Sequence, residues 1–175
     1  MYITSTQDDV HDGYAPPMSW GILPNIFIPS HDCIVSLAEG TSGINLKRSE
    51  ESFLEQNEVC RVATSHNDIP HVTTVNYCYI DHFIFFATDY NTRKYRNLEQ
   101  NRNIGIIIDS YGSSINNKAV IIQGVVEFVE RGNEFVKLYK LFDSRFNWVR
   151  NDPWKEGEAP FVKIIPRSKA SWGLN

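Results

Sequence analysis

Between Arg61 and Thr88 the chain alternates apolar, β-branched stretches with turns too short to hold a helix. Arg61 to Ser65 has strand character, and the turn His66-Asn67-Asp68-Ile69-Pro70 follows. His71 to Ile80, rich in Val72, Thr73, Thr74 and Val75, reads as a second strand. Asp81-His82 then turns the chain into a third, His82 to Thr88. Parallel neighbours need a crossover of a dozen or more residues, and none is present. This segment therefore predicts an antiparallel meander over 61–88, and it rules out a doubly wound sheet.

The remaining elements fit around that meander. A short helix is expected from Ser49, with Ser49 as N-cap and Glu50 and Glu51 at the positive end of its dipole. Another helix follows Thr88. Ile104 to Ile108 and Ala119 to Glu130 read as strands, separated by a polar loop from Tyr111 to Asn117. In Asn133 to Phe146, the residues Phe135, Tyr139, Phe142 and Phe146 recur on one helical face, as a core stripe does. A loop from Trp148 to Pro160 leads to a last strand, Phe161 to Ile165. The expected class is mainly β with peripheral helices: a six-stranded antiparallel barrel.

Charge divides the chain in two. All 17 Lys and Arg residues lie from Lys47 onward, whereas Asp8, Asp9, Asp12, Asp32 and Glu39 precede it. The net charge of −4 gives no general attraction to nucleic acid or to an acidic membrane surface, and neither is expected as a partner. Residues 1–46 are broken by Pro16-Pro17, Pro24 and Pro29. They nevertheless carry Trp20, Ile22, Leu23, Ile26, Phe27, Ile28, Ile34, Val35 and Leu37, too apolar a set for a typical disordered tail. Residues 1–46 are expected to form an extended arm packed on the domain, 47–175, or on a second subunit. Cys33, Cys60 and Cys78 form no CxxC pair, and the first residues lack a basic stretch followed by an apolar run. No apolar run has membrane-helix length. The expectation is a cytoplasmic protein.

Several chemistries are missing from the sequence. There is no GxGxxG, P-loop, HExxH or GxSxG pattern, and His66, His71 and His82 have no metal-type spacing, so no metal is expected. What stands out is Thr92-Arg93-Lys94 at the start of the second helix. Cations there oppose the helix dipole, and an anion such as a phosphate would remove the conflict. Gln123 interrupts an otherwise apolar strand and is either a ligand contact or a rim residue bonded to backbone.

The order and spacing of these pieces resembles the FMN-binding split-barrel family of the pyridoxamine-phosphate oxidases and related flavin reductases. The carrying residues are Arg61-Val62-Ala63-Thr64, Pro70-His71-Val72, Phe85-Phe86-Ala87-Thr88 and Thr92-Arg93-Lys94. Asn97-Leu98, Asn101-Arg102-Asn103-Ile104, Gln123-Gly124-Val125-Val126 and Lys169-Ala170-Ser171-Trp172 complete them. The resemblance covers about residues 50–172 and implies a homodimer with FMN in a cleft between subunits. By position it implies Arg93 and Lys94, with Thr88, on the phosphate. Thr74, Val75 and Asn76 would run along the ring, largely through backbone, with Gln123 and Trp172 close by. The implied activity is that of an oxidoreductase acting with a small-molecule substrate or electron donor, and no catalytic side chain is assigned. The chain departs from the oxidase at Thr73, where a basic residue is usual, and the oxidase's arginine- and histidine-containing motif near the C-terminus is missing. Oxidation of a pyridoxine-type phosphate is therefore not expected. The alternative is a flavin, deazaflavin or haem carrier on the same barrel, with His71 or His82 as a haem ligand.

The arm yields a test. Burial of a large apolar side chain is worth about 1.5–3 kcal/mol, so Trp20, Ile26, Phe27 and Ile28 favour packing over water. Deletion of residues 1–45 is expected to lower the melting temperature or weaken dimerisation. Unchanged values for both would reduce the arm to a leader.

Overall fold

In the computed structural model, residues 44–112 and 116–174 are described, and the arm expected over 1–46 lies outside them apart from its last three residues. The elements run α1 (Arg48–Gln56), β1 (Val59–His66), β2 (Ile69–Asn76), β3 (Cys78–Ile80), β4 (Phe83–Ala87) and α2 (Arg93–Gln100). They continue with β5 (Asn103–Ser110), β6 (Lys118–Val129), α3 (Gly132–Arg145), α4 (Asn147–Asn151) and β7 (Phe161–Trp172). The strands form one antiparallel sheet in the order β2-β1-β5-β6-β7-β4-β3. No helix among the described residues is long and apolar enough to cross a membrane.

The class is the expected one, with seven strands in place of six. The extra strand arises because the run His71 to Ile80 is two elements. It breaks at Tyr77, and β2 and β3 lie at opposite edges of the sheet. The meander expected over 61–88 is accordingly two hairpins, β1–β2 and β3–β4. Because the edge strands are joined by one residue, the sheet must curl until its edges approach each other. Tyr77 is fully buried at that junction; its hydroxyl donates to Leu54 O at 2.7 Å and its N–H to Glu58 O at 2.9 Å. Both hairpin turns place two residues at positive φ, Asn67 and Asp68 in one and Asp81 and His82 in the other. Such paired left-handed residues match the twist of the flanking strands.

Two cores result. Leu54, Val62, Tyr77, Phe86, Leu98, Ile106 and Ile122 fill the barrel. Phe85, Phe135, Leu138, Phe142, Val149 and Phe161 form a second layer under α3 and α4. Strand β4 faces both, Ile84 and Phe86 inward and Phe83 and Phe85 outward, which is why its sequence shows no polar alternation. The aromatic stripe of α3 is core, with Tyr139 partly buried against it. Residues within the expected Trp148–Pro160 loop belong to α4, and β7 runs on to Trp172.

The N-cap of α1 is Lys47, not Ser49. The choice is made by Glu50, which is 1% exposed, accepts from Lys47 N–H at 2.7 Å and from Ser171 Oγ at 2.6 Å, and pairs with Lys169. Burial would raise its pKa; the hydrogen bonds from Lys169, Ser171 and Lys47 outweigh that and bring it from 4.5 to about 2. A depressed carboxylate stabilises the fold above its unfolded pKa and loses that contribution as pH falls through the folded one. Glu50→Gln is expected to lower unfolding free energy at pH 7 by about 1.5–3 kcal/mol. In urea melts the gap from wild type should close between pH 4.5 and about 2; a gap that is constant over that range would contradict this account.

Candidate functional site

Helix α2 sits against β1, tied down by Asn97 Nδ2 donating to Thr64 Oγ1 at 3.1 Å and Asn101 Nδ2 to Ser65 O at 3.2 Å. Leu98 enters the barrel core. The N-cap is Thr92, whose Oγ1 accepts from Tyr95 N–H at 3.2 Å and donates to Asp89 O at 2.9 Å. That leaves the hydroxyl of Thr88 as donor in its 3.0 Å contact with Thr92 Oγ1. Thr88, Thr92, Lys94, Asn97 and Thr64 are all buried, a polar cluster in an otherwise apolar interior.

Arg93 is exposed, whereas Lys94 is 2% exposed. The burial of Lys94 differs from the expectation for a residue in the first turn of a surface helix. It follows from the helix period, which puts Lys94 on the same face as Asn97 and Leu98. The first turn carries no acidic residue. Two cations thus stand at the positive end of the dipole, beside a Thr-lined helix start. This donor set is suited to a dianion.

The second part of the site is the outer face of the central strands. Register places Thr74 opposite Arg61, Arg61 opposite Ile107, Ile107 opposite Ile121 and Ile121 opposite Ala170. The neighbouring row is Val72, Ala63, Gly105, Gln123 and Ser168. Directly paired residues share a face, so these rows form one continuous surface, and Ala63 and Gly105 keep its middle low. Val72 is 63% exposed, and Trp172, opposite Ala119 at the far end of β7, is 39% exposed. Arg61 pairs with Asp109 on this surface.

Of the residues expected along a ring, Thr74, Gln123 and Trp172 share the outer face. Gln123 is exposed there, its Oε1 accepting from Ser168 Oγ at 3.2 Å. Val75 points the other way, packed on the barrel core, so only its backbone reaches the outside. Asn76 is half-buried and donates from Nδ2 to Glu58 O at 3.2 Å. Strand β2 pairs with β1, not with β4, which corrects the expectation that Thr73, Thr74 and Asn76 adjoin Phe83–Thr88 in the sheet. As an edge strand it presents backbone groups on its free side. Thr74 and Gln123 stand three strand spacings and one row apart, about 16 Å along the sheet.

Other chemistries are poorly supplied. Burial pushes the thiols of Cys60 and Cys78 up to about 12, so both stay protonated and inert. His82 is exposed on its turn, near Tyr79 Oη at 3.3 Å and Glu51 at 3.1 Å, and His71 is half-buried on β2. Among the described residues no three His, Cys, Asp or Glu side chains gather as a metal site would require.

A sequence model of the pyridoxamine 5'-phosphate oxidase family matches residues 46–168. This chain belongs to that family. Its solved structural neighbours include a conserved hypothetical protein from Mycobacterium tuberculosis, with a TM-score of 0.62 and 20% identity over 77% of this chain and 89% of that one. A FAD-binding protein from Mesorhizobium loti superposes with a TM-score of 0.59 and 20% identity, over 72% of this chain and 94% of its own. The haem storage protein of Vibrio cholerae gives 0.62 at 16% identity, over 73% and 94%. At these identities the likeness is one of fold. Comparison with the curated proteins gives no match.

Sequence reasoning missed the Arg61–Asp109 pair and the Thr64–Asn97 bond, since each joins residues remote in the chain. Nothing in local spacing signals either one.

Proposed function

We propose that this chain is an FMN-binding oxidoreductase that works as a cytoplasmic homodimer on a small-molecule substrate or electron donor. The observation that carries the reading is the α2 start, capped by Thr92 and braced by Thr88: the positive end of the helix dipole, exposed Arg93 and buried Lys94, with no acid in the first turn. These would hold the phosphate. The free edge of β2 at Thr74, Val75 and Asn76 would offer backbone hydrogen bonds to the ring, and the low apolar face around Ala63 and Gly105 would take its plane. Gln123 and Trp172 would border it.

When bound, FMN supplies hydride or electron transfer. The chain's own part is to neutralise the phosphate, orient the ring and exclude water. The open face offers one wall only, with Thr74 and Gln123 about 16 Å apart along it. A second copy facing it would supply the other wall and bury the cofactor. Light scattering is expected to give twice the chain mass, and a monomer that still retains FMN would contradict the two-walled cleft.

A second reading is a carrier without turnover that holds a flavin, a deazaflavin or haem. It is favoured by the haem storage protein among the neighbours of the same fold. His71 or His82 would then be the axial ligand. The visible spectrum of the purified protein separates these cofactors.

Substitution at Lys94 tests the leading reading. Lys94→Met keeps a buried aliphatic stem and removes the charge; Lys94→Ala removes both. Loss of a charge-assisted contact of about 1.5–3 kcal/mol should weaken FMN binding roughly 10–150-fold in either variant. Lys94→Met should keep the wild-type melting temperature. FMN affinity equal to wild type in both variants would remove the phosphate assignment.

A further inference from the structure

The pairing of β6 with β7 is regular except at one point. Gln123 pairs with Ser168, but the next residue, Gly124, pairs with Pro166, so Arg167 is an inserted residue at a β-bulge. The insertion is built in by its neighbours. A Cβ on Gly124 would lie 2.4 Å from Ile165 O and 3.3 Å from Ile164 Cγ2, so only glycine fits opposite the bulge. Pro166 brings no N–H to the ladder there. Bulges re-aim side chains, and this one delivers an arginine next to Gln123.

Arg167 is exposed, and its side chain makes no hydrogen bond or ion pair among the described residues. The other cations nearby are committed. Arg61 on the outer face is paired with Asp109, and Lys169, two residues beyond Arg167, is paired with Glu50. Gln123 accepts from Ser168 through its oxygen, which leaves its amide N–H groups as donors one register position from Arg167. The bulge also marks a boundary on β7. On its N-terminal side Lys163 and Ile165 are covered by the second core, and on its C-terminal side Ser168, Ala170 and Trp172 lie open.

We propose that Arg167 is a specificity-determining residue, which with the Gln123 amide binds an anionic group, a carboxylate or a phosphate, of the small molecule that meets the open face. The inference rests on the flavin reading only for the identity of that molecule as substrate or electron donor. A planar five-donor fork suits either anion. A phosphate ester and a carboxylic acid are the two sources to be told apart.

The test titrates FMN-loaded, nitrogen-15-labelled full-length protein with inorganic phosphate in one arm and benzoate in the other. Loading with FMN keeps the α2 site from taking the added phosphate. The readout is the Gln123 side-chain amide resonance, in wild type, Arg167→Ala and Arg167→Lys. At least one anion should shift that resonance saturably. Arg167→Ala should raise the Kd tenfold or more, Arg167→Lys should fall between, and FMN affinity should stay at the wild-type value. Saturation by phosphate alone assigns a phosphate ester, and by benzoate alone a carboxylic acid. No saturable shift with either anion, or the same Kd in Arg167→Ala, overturns the proposal. So does a loss of the dimer in Arg167→Ala with anion binding intact, which would make Arg167 an interface ion. If wild type takes up no FMN, the flavin reading fails on its own. The titration is then run on the flavin-free protein, where an Arg167-dependent shift at Gln123 supports the anion site and its absence overturns it.

Discussion

The barrel depends on how the chain crosses from one edge of its sheet to the other at Tyr77. A single residue separates β2 from β3, so no flat arrangement of the seven strands is possible. The phenol anchors the crossing: burial pushes its pKa well above the ordinary range, so it remains a donor, and Leu54 O at 2.7 Å receives it. Leu54 belongs to α1, so the same bond fixes the helix that packs beside the crossing. Arg145 reinforces this corner from α3, donating to Glu55 O at 3.2 Å and Asn57 O at 3.1 Å. Loss of the Tyr77 hydroxyl would leave a buried carbonyl without its partner, a cost of about 1–3 kcal/mol.

Two helices, α1 and α2, pack with buried ionisable groups of opposite sign near their first turns. Glu50 in α1 is satisfied from within the chain, by a lysine, a hydroxyl and a backbone N–H, and lies at the dipole end that favours a carboxylate. Its role is complete as a structural pin. Lys94 in α2 lies at the same dipole end with the disfavoured sign, next to a second cation. The dipole disfavours a cation there, and the proposed phosphate site rests on that local conflict.

The outer surface of the sheet is divided by α3. Where α3 and α4 cover β4 and part of β7, outward residues are Phe83, Phe85 and Phe161, and Lys163 lies over the Phe83 ring at 4.4 Å with Glu134 at 3.6 Å. Beyond the bulge no helix among the described residues covers the strands, and outward residues become Gln123, Ser168, Ala170 and Trp172. The bulge, set by Gly124, Pro166 and Arg167, thus separates a region built for packing from one open to a ligand or a second copy.

The sequence by itself determined the antiparallel class, the two-residue turn at Asp81-His82, the α3 core stripe and the basic start of α2. Each is written in near neighbours, where backbone preference and periodicity act. The tertiary structure decided the rest. That His71 to Ile80 splits between two edges depends on Tyr77 reaching Leu54, 23 residues away in the chain. The α1 cap moved to Lys47 because Glu50 is held by Lys169 and Ser171, on the last strand. Lys94 became buried because Asn97 found Thr64 on β1. The placing of Thr74, Gln123 and Trp172 on one face, and of Val75 behind it, required the register of β2, β1, β5, β6 and β7. Register is set by what packs in the core, and no local stretch of sequence contains that information.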